Sequence, residues 1–162
     1  MKITGKVWKF GDDVNTDEII PAEYLTTGDA KELAKHAFEK VRPEFAKNVK
    51  DVDVIVAGKN FGSGSSREHA PRALKGCGVS CVIARSFARI YFRNSINIAL
   101  PAVECSIDAD EGDTVEVDFS SGKIKNLTKN KEYEFHALPP FLQNIFDAGG
   151  LVNYVKAALK ND

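Results

Sequence analysis

The spacing of hydrophobic positions changes along the chain, and each change marks an element. "KITGKVWKF", Lys2 to Phe10, alternates loosely and predicts a strand. "GDDVNTDEIIP" is polar and turn-rich and reads as a loop. Leu33, Ala34, Ala37, Phe38 and Val41 then fall at helical spacing, with Asp29 as the N-cap and Pro43 just past the end. "DVDVIVAG" is a short, apolar, β-branched run of the kind that parallel sheets bury on both faces. From Arg67 the pattern turns helical and stops near Gly76 and Gly78. "VSCVIA" predicts a second buried strand, "SFARIYFRNSIN" a helix capped by Ser86, and "IALPAVEC" a third strand. Strand, helix, strand, helix, strand at this spacing implies parallel βαβ units.

The period then becomes two. "DTVEVDF", "GKIKNL" and "KEYEFHA" alternate apolar and polar residues and are separated by "SSG" and "TKNK". They predict antiparallel strands joined by tight turns. Pro139 and Pro140 open a final helical segment that breaks at Gly149-Gly150. The expectation is one α/β domain over residues 1–162, with a mainly parallel core sheet and an antiparallel addition.

Composition narrows the function classes. A chain of 162 residues with 43% hydrophobic and 28% charged residues has enough material for a real core. A formal net charge of −1 gives no global attraction to nucleic acid or to an anionic membrane. No apolar run approaches the ~20 residues that span a bilayer, and the first residues lack an apolar signal core. A cytoplasmic location is therefore expected, with Cys77, Cys81 and Cys105 reduced. Cys77 and Cys81 stand four apart without further ligands nearby and read as small core residues rather than a metal site.

The candidate chemistry lies in "KNFGSGSSREHAP", Lys59 to Pro71, between a predicted strand and a predicted helix. It lacks the Gly-Lys-Ser/Thr ending of a phosphate loop. Arg67 stands where a dinucleotide fingerprint needs its third glycine, and no Asp or Glu occurs between Glu68 and Glu104 to hold a ribose. "GSGSS" also fails the Gly-x-Ser-x-Gly pattern of a hydrolase elbow. What remains is an anion site. Glycines permit a sharp turn, unsatisfied N–H groups point outward at a helix start, and Arg67 offers a planar fork that suits a carboxylate. From Arg67 to Arg93 the charged residues are Arg67, Arg72, Lys75, Arg85, Arg89 and Arg93 against Glu68 alone, so a small polycarboxylate fits.

"NFGSGSSREHA" resembles the motif of the swivelling C-terminal domain of the aconitase superfamily. "FGDDVNTDEIIP", "YLTT" and "ARSFARIYFRNSINIALP" resemble, in order, further segments of the same domain, and the length fits its free-standing small-subunit form. The resemblance implies a hydro-lyase subunit, inactive alone, that isomerises a 2-hydroxy acid by dehydration and rehydration. It implies a large partner subunit carrying a [4Fe–4S] cluster, with no metal or cofactor on this chain. By the same resemblance Ser65 is the catalytic base, Ser66 and Arg67 bind substrate, and Asp17 is a loop aspartate near the site.

Substrate choice rests on "AEYLTTGDAK". In the superfamily, tricarboxylate users place an arginine in this loop; here Thr26 stands at the matching position, beside Leu25. A third carboxylate against Leu25 and Thr26 would lack a paired charge, whereas an isopropyl group would bury apolar area favourably. Leu25 and Thr26 are thus expected substrate-binding residues, and the substrate a dicarboxylate with a branched apolar group, 2-isopropylmalate, as in leucine biosynthesis. A homocitrate-type tricarboxylate, or a stand-alone anion- or RNA-binding role, remains as an alternative.

Overall fold

The computed structural model describes residues 1–160. Its β-strands form one seven-stranded sheet in the order β4-β3-β2-β1-β5-β6-β7. The first four are β1 (Lys2–Lys9), β2 (Val54–Ala57), β3 (Cys81–Ala84) and β4 (Ala102–Glu104), and each runs parallel to its neighbour. The rest are β5 (Thr114–Asp118), β6 (Lys123–Asn126) and β7 (Lys131–Glu134), paired antiparallel, with β5 antiparallel to β1. The parallel core and the antiparallel addition are therefore one sheet, hinged on β1.

Each parallel crossover steps one strand in the same direction, so right-handed connections stack their helices on one face. The connections carry α1 (Thr16–Ile19), a 3-10 turn (Ala22–Tyr24), α2 (Ala30–Ala34), α3 (Pro43–Asn48), α4 (His69–Gly76) and α5 (Arg89–Asn97). The period of two then divides the core. Ile55, Ala57, Val82 and Ala84 pack with Ala70, Ala73, Leu74 and Tyr91 under the helices. Val54, Val56, Cys81 and Ile83 point the other way and pack with Val115, Val117, Phe119 and Ile124 of the antiparallel part. The sheet thus curls over its own second face. The curl is tight enough for the Cys105 thiol, just after β4, to donate to the Glu134 carbonyl of β7 at 3.6 Å, although those strands are its opposite edges.

Several expected boundaries shift. The helix expected over Asp29–Val41 is regular only through Ala34, although Asp29 caps it as expected by accepting from Lys31 N. The chain then tightens into turns, with Phe38 at φ +55 and its N–H donating to Ile19 O. Pro43 begins a helix rather than merely following one, because its missing N–H costs nothing in the first turn. The expected loop at Gly11–Pro21 contains α1, closed by a capping box between Asn15 and Glu18. Ser86 does not cap α5; its hydroxyl accepts from Asn60 N at 2.8 Å, and α5 starts after Ala88. At the C-terminal side, α6 (Pro140–Ala148) ends on Gly149 at φ +87, and α7 (Leu151–Lys160) follows. No helix among the described residues is long and apolar enough to cross a membrane.

Candidate active site

All four residues of β2 are buried, so the strand is fixed, and the loop after it is fastened on two sides. Phe61 N donates to Ser86 O at 3.0 Å and Ala88 N to Phe61 O at 2.9 Å, which ties the loop to the start of α5. Gly62 N donates to Val14 O at 2.7 Å and Thr16 N to Ser63 O at 2.8 Å, which ties it to α1. Gly62 has φ +84 and lies flat on Tyr91: a Cβ there would fall 2.2 Å from Tyr91 Cγ. A glycine is needed here for conformation and for space.

Beyond Gly64 the loop presents its polar groups. The Ser65 carbonyl accepts from the buried Thr16 hydroxyl at 3.1 Å and from Arg67 N at 2.9 Å. The Ser65 and Ser66 side chains are exposed, and among the described residues neither hydroxyl nor either N–H has a protein partner. Arg67 is held in place, its side chain only 20% exposed. Its Nη1 donates to Asp17 Oδ1 at 2.9 Å and to Ile20 O at 3.4 Å. That hydrogen bond, with the charge behind it, holds the Asp17 carboxyl below its ordinary range. Nε and Nη2 donate to no protein group among the described residues, so one edge of the guanidinium stays free.

Leu25, Ser66 and Arg67 line one open cleft of about 500 Å³. Its remaining walls are Glu68 and His69 at the start of α4, and Ile90 and Asn94 on α5. Ser65 is the residue next to Ser66 but does not itself line the cleft, nor do Thr26 and Asp17. Asp17 meets Arg67 from behind, and Thr26 lies exposed beside Leu25. The Leu25 segment is anchored by Tyr24, whose ring stacks on His36 with centroids 3.7 Å apart. The Tyr24 hydroxyl donates to Glu39 Oε2 at 2.6 Å, which pushes its pKa up to about 12.

Ile90 and Asn94 were not singled out from sequence. Their signal was available: they stand four apart on α5, on a face that excludes the buried Tyr91, Ser95 and Ile96. His69, in the first turn of α4, lines the same cleft.

Among the described residues no three His, Cys, Asp or Glu side chains gather where they could hold a metal ion. Cys81 is fully buried, and burial raises the Cys77 thiol to about 12. The described residues therefore do not fit an iron–sulfur cluster.

The motif and the fold can be set against known proteins. The model of the aconitase C-terminal domain family matches residues 44–107, a span that holds the glycine loop, α4 and α5. The 3-isopropylmalate dehydratase small subunit of Clostridium beijerinckii is 58% identical over 159 residues, covering 96% of this chain and 99% of that protein. The protein of the same name from Methanosarcina mazei is 58% identical over 154 residues, covering 94% and 95%. A crystal structure of 3-isopropylmalate dehydratase (leuD) from Methanocaldococcus jannaschii superposes with a TM-score of 0.92 at 48% identity, covering 98% of this chain and 95% of that one. With identity at this level along nearly its whole length, the chain belongs to the family of 3-isopropylmalate dehydratase small subunits.

Proposed function

We propose that this chain is the small subunit of a cytoplasmic 3-isopropylmalate dehydratase, which converts 2-isopropylmalate to 3-isopropylmalate with a large partner subunit. The observation that carries the reading is the cleft that Arg67, with Nε and Nη2 free of protein partners among the described residues, lines together with Ser66 and Leu25. A guanidinium edge suits one carboxylate bidentately. Among the described residues Arg67 is the one guanidinium or ammonium group lining the cleft, so a further carboxylate lying on Leu25 would go unpaired.

The reaction needs a proton removed from the substrate's CH2 group, which is α to a carboxylate. Ser65 as alkoxide takes that proton, the C–H electrons form the double bond, and hydroxide leaves the neighbouring carbon. Water then adds with the opposite regiochemistry. The free N–H groups at Ser65 and Ser66 and the nearby Arg67 charge stabilise the serine alkoxide, and Arg67 neutralises the carboxylate that takes up charge as the proton departs. Asp17, which does not line the cleft, acts as a positioning residue by holding Nη1 and leaving Nε and Nη2 for the substrate. The Lewis acid for the departing hydroxyl is assigned to a [4Fe–4S] cluster on the large subunit.

The test is coexpression with the cognate large subunit and an anaerobic assay against 2-isopropylmalate, citramalate and homocitrate. Turnover of 2-isopropylmalate by the pair, and by neither subunit alone, is the expected result. Preference for homocitrate would replace the reading with that of a homoaconitase-type subunit.

A further inference from the structure

Ile90 sits beside the proposed site for a reason that begins with the neighbouring residue. Tyr91 turns inward to lie beneath Gly62, and the Ala88 N–H is bonded to Phe61 O, so the first turn of α5 cannot rotate. Successive side chains on a helix point about 100° apart, and Ile90 is therefore driven outward. It lines the cleft with Leu25, Ser66 and Arg67 while remaining 50% exposed. A large aliphatic side chain left half bare, within a cleft whose other walls are mostly polar, gains by covering apolar substrate surface.

Resting on the function proposed above, we infer that Ile90 is a specificity-determining residue. It and Leu25 together form the subsite for the branched alkyl group of the substrate. The two come from unrelated parts of the chain, the loop before α2 and the start of α5, so selectivity is not a property of that loop alone. The carboxylate end belongs to Arg67 and Ser66, and the alkyl end to Leu25 and Ile90.

The test compares two substrates that differ only at this group, 2-isopropylmalate and its methyl counterpart citramalate, in the reconstituted two-subunit enzyme. Ile90→Ala should lower kcat/KM for 2-isopropylmalate by about tenfold or more, mainly through KM, since a few methyl contacts are worth this much. The value for citramalate should change less than about threefold, and Ile90→Val should give an intermediate ratio. Equal losses on both substrates, or losses restored by raising the large-subunit concentration, would show that Ile90 serves folding or assembly and overturn the inference; so would no change. Arg67→Lys in the same assay separates the two levels. If it abolishes both activities while Ile90→Ala leaves their ratio untouched, only the alkyl subsite fails. If it leaves both intact, the cleft is not the substrate site.

Discussion

Replacing Gly62 with alanine tests whether the loop is held by the packing described. The backbone there has φ +84, a region in which an L side chain costs about 1–2 kcal/mol. The new Cβ would also fall 2.2 Å from Tyr91 Cγ and 2.4 Å from Tyr91 Cβ. Because one of those atoms is the Tyr91 Cβ, no change of rotamer relieves the contact; α5 must back away, against the hydrogen bond from Ala88 N to Phe61 O. Overpacking of this kind costs about 1–3 kcal/mol. Gly64→Ala is the control. It shares a positive φ, +99, but its Cβ would meet nothing nearer than Thr16 Oγ1 at 3.4 Å, an ordinary contact. Both substitutions stiffen the unfolded chain equally, so their difference isolates the Tyr91 contact. With a urea m-value of about 2 kcal/mol per M, the Gly62→Ala midpoint should lie roughly 0.5–1.5 M below that of Gly64→Ala. Coincident midpoints would refute the packing argument.

Four further outcomes are expected. Ser65→Ala in the two-subunit enzyme should abolish kcat and leave KM near its original value, because a base acts in the transition state; most of the kcat surviving would remove Ser65 from that role. Arg67→Lys keeps the charge but loses the fork, and kcat/KM should fall on the order of 10²-fold or more, a loss that a merely solvated arginine would not produce. Thr26→Arg should weaken 2-isopropylmalate turnover and improve that of homocitrate; an unchanged ratio would mean that Thr26, which does not line the cleft, plays no part in selection. Lys131 and Lys129 hold the Asp108 carboxyl down at about 2, so its contribution to stability is complete above its unfolded value of about 4 and lost as pH falls toward 2. The melting temperature of Asp108→Asn should therefore lie below wild type at neutral pH and converge with it near pH 2, and a gap that persists in acid would point to packing instead.

The strands were legible because burial writes itself into their spacing. Val54 to Ala57 and Cys81 to Ala84 are buried on both faces and read as unbroken apolar runs, while Thr114–Asp118 alternates because only one face is covered. The glycine loop was legible because few local structures need its letters in that order. The shape of the cleft was not. Leu25 and Ile90 are far apart in sequence, and what brings them together is the docking of α5 under Gly62, a tertiary contact with no local signature. The helix at Pro43 was missed because a proline that follows one helix can equally begin the next, and α1 because "NTDE" is too short to carry a period, although its capping-box letters were present.

The central place of β1 bears on how the chain is made. Its partners, β2 and β5, lie roughly 45 and 105 residues further along, so β1 is synthesised well before either. At ~5–20 residues per second, it waits roughly 5–20 s for its second edge to be covered. A bare strand is a template for pairing with other chains. Lys2, Lys6 and Lys9, all exposed in the finished sheet, spread three positive charges over its eight residues. Charged side chains, lysine above all, disfavour edge-to-edge pairing of a strand that is not yet covered.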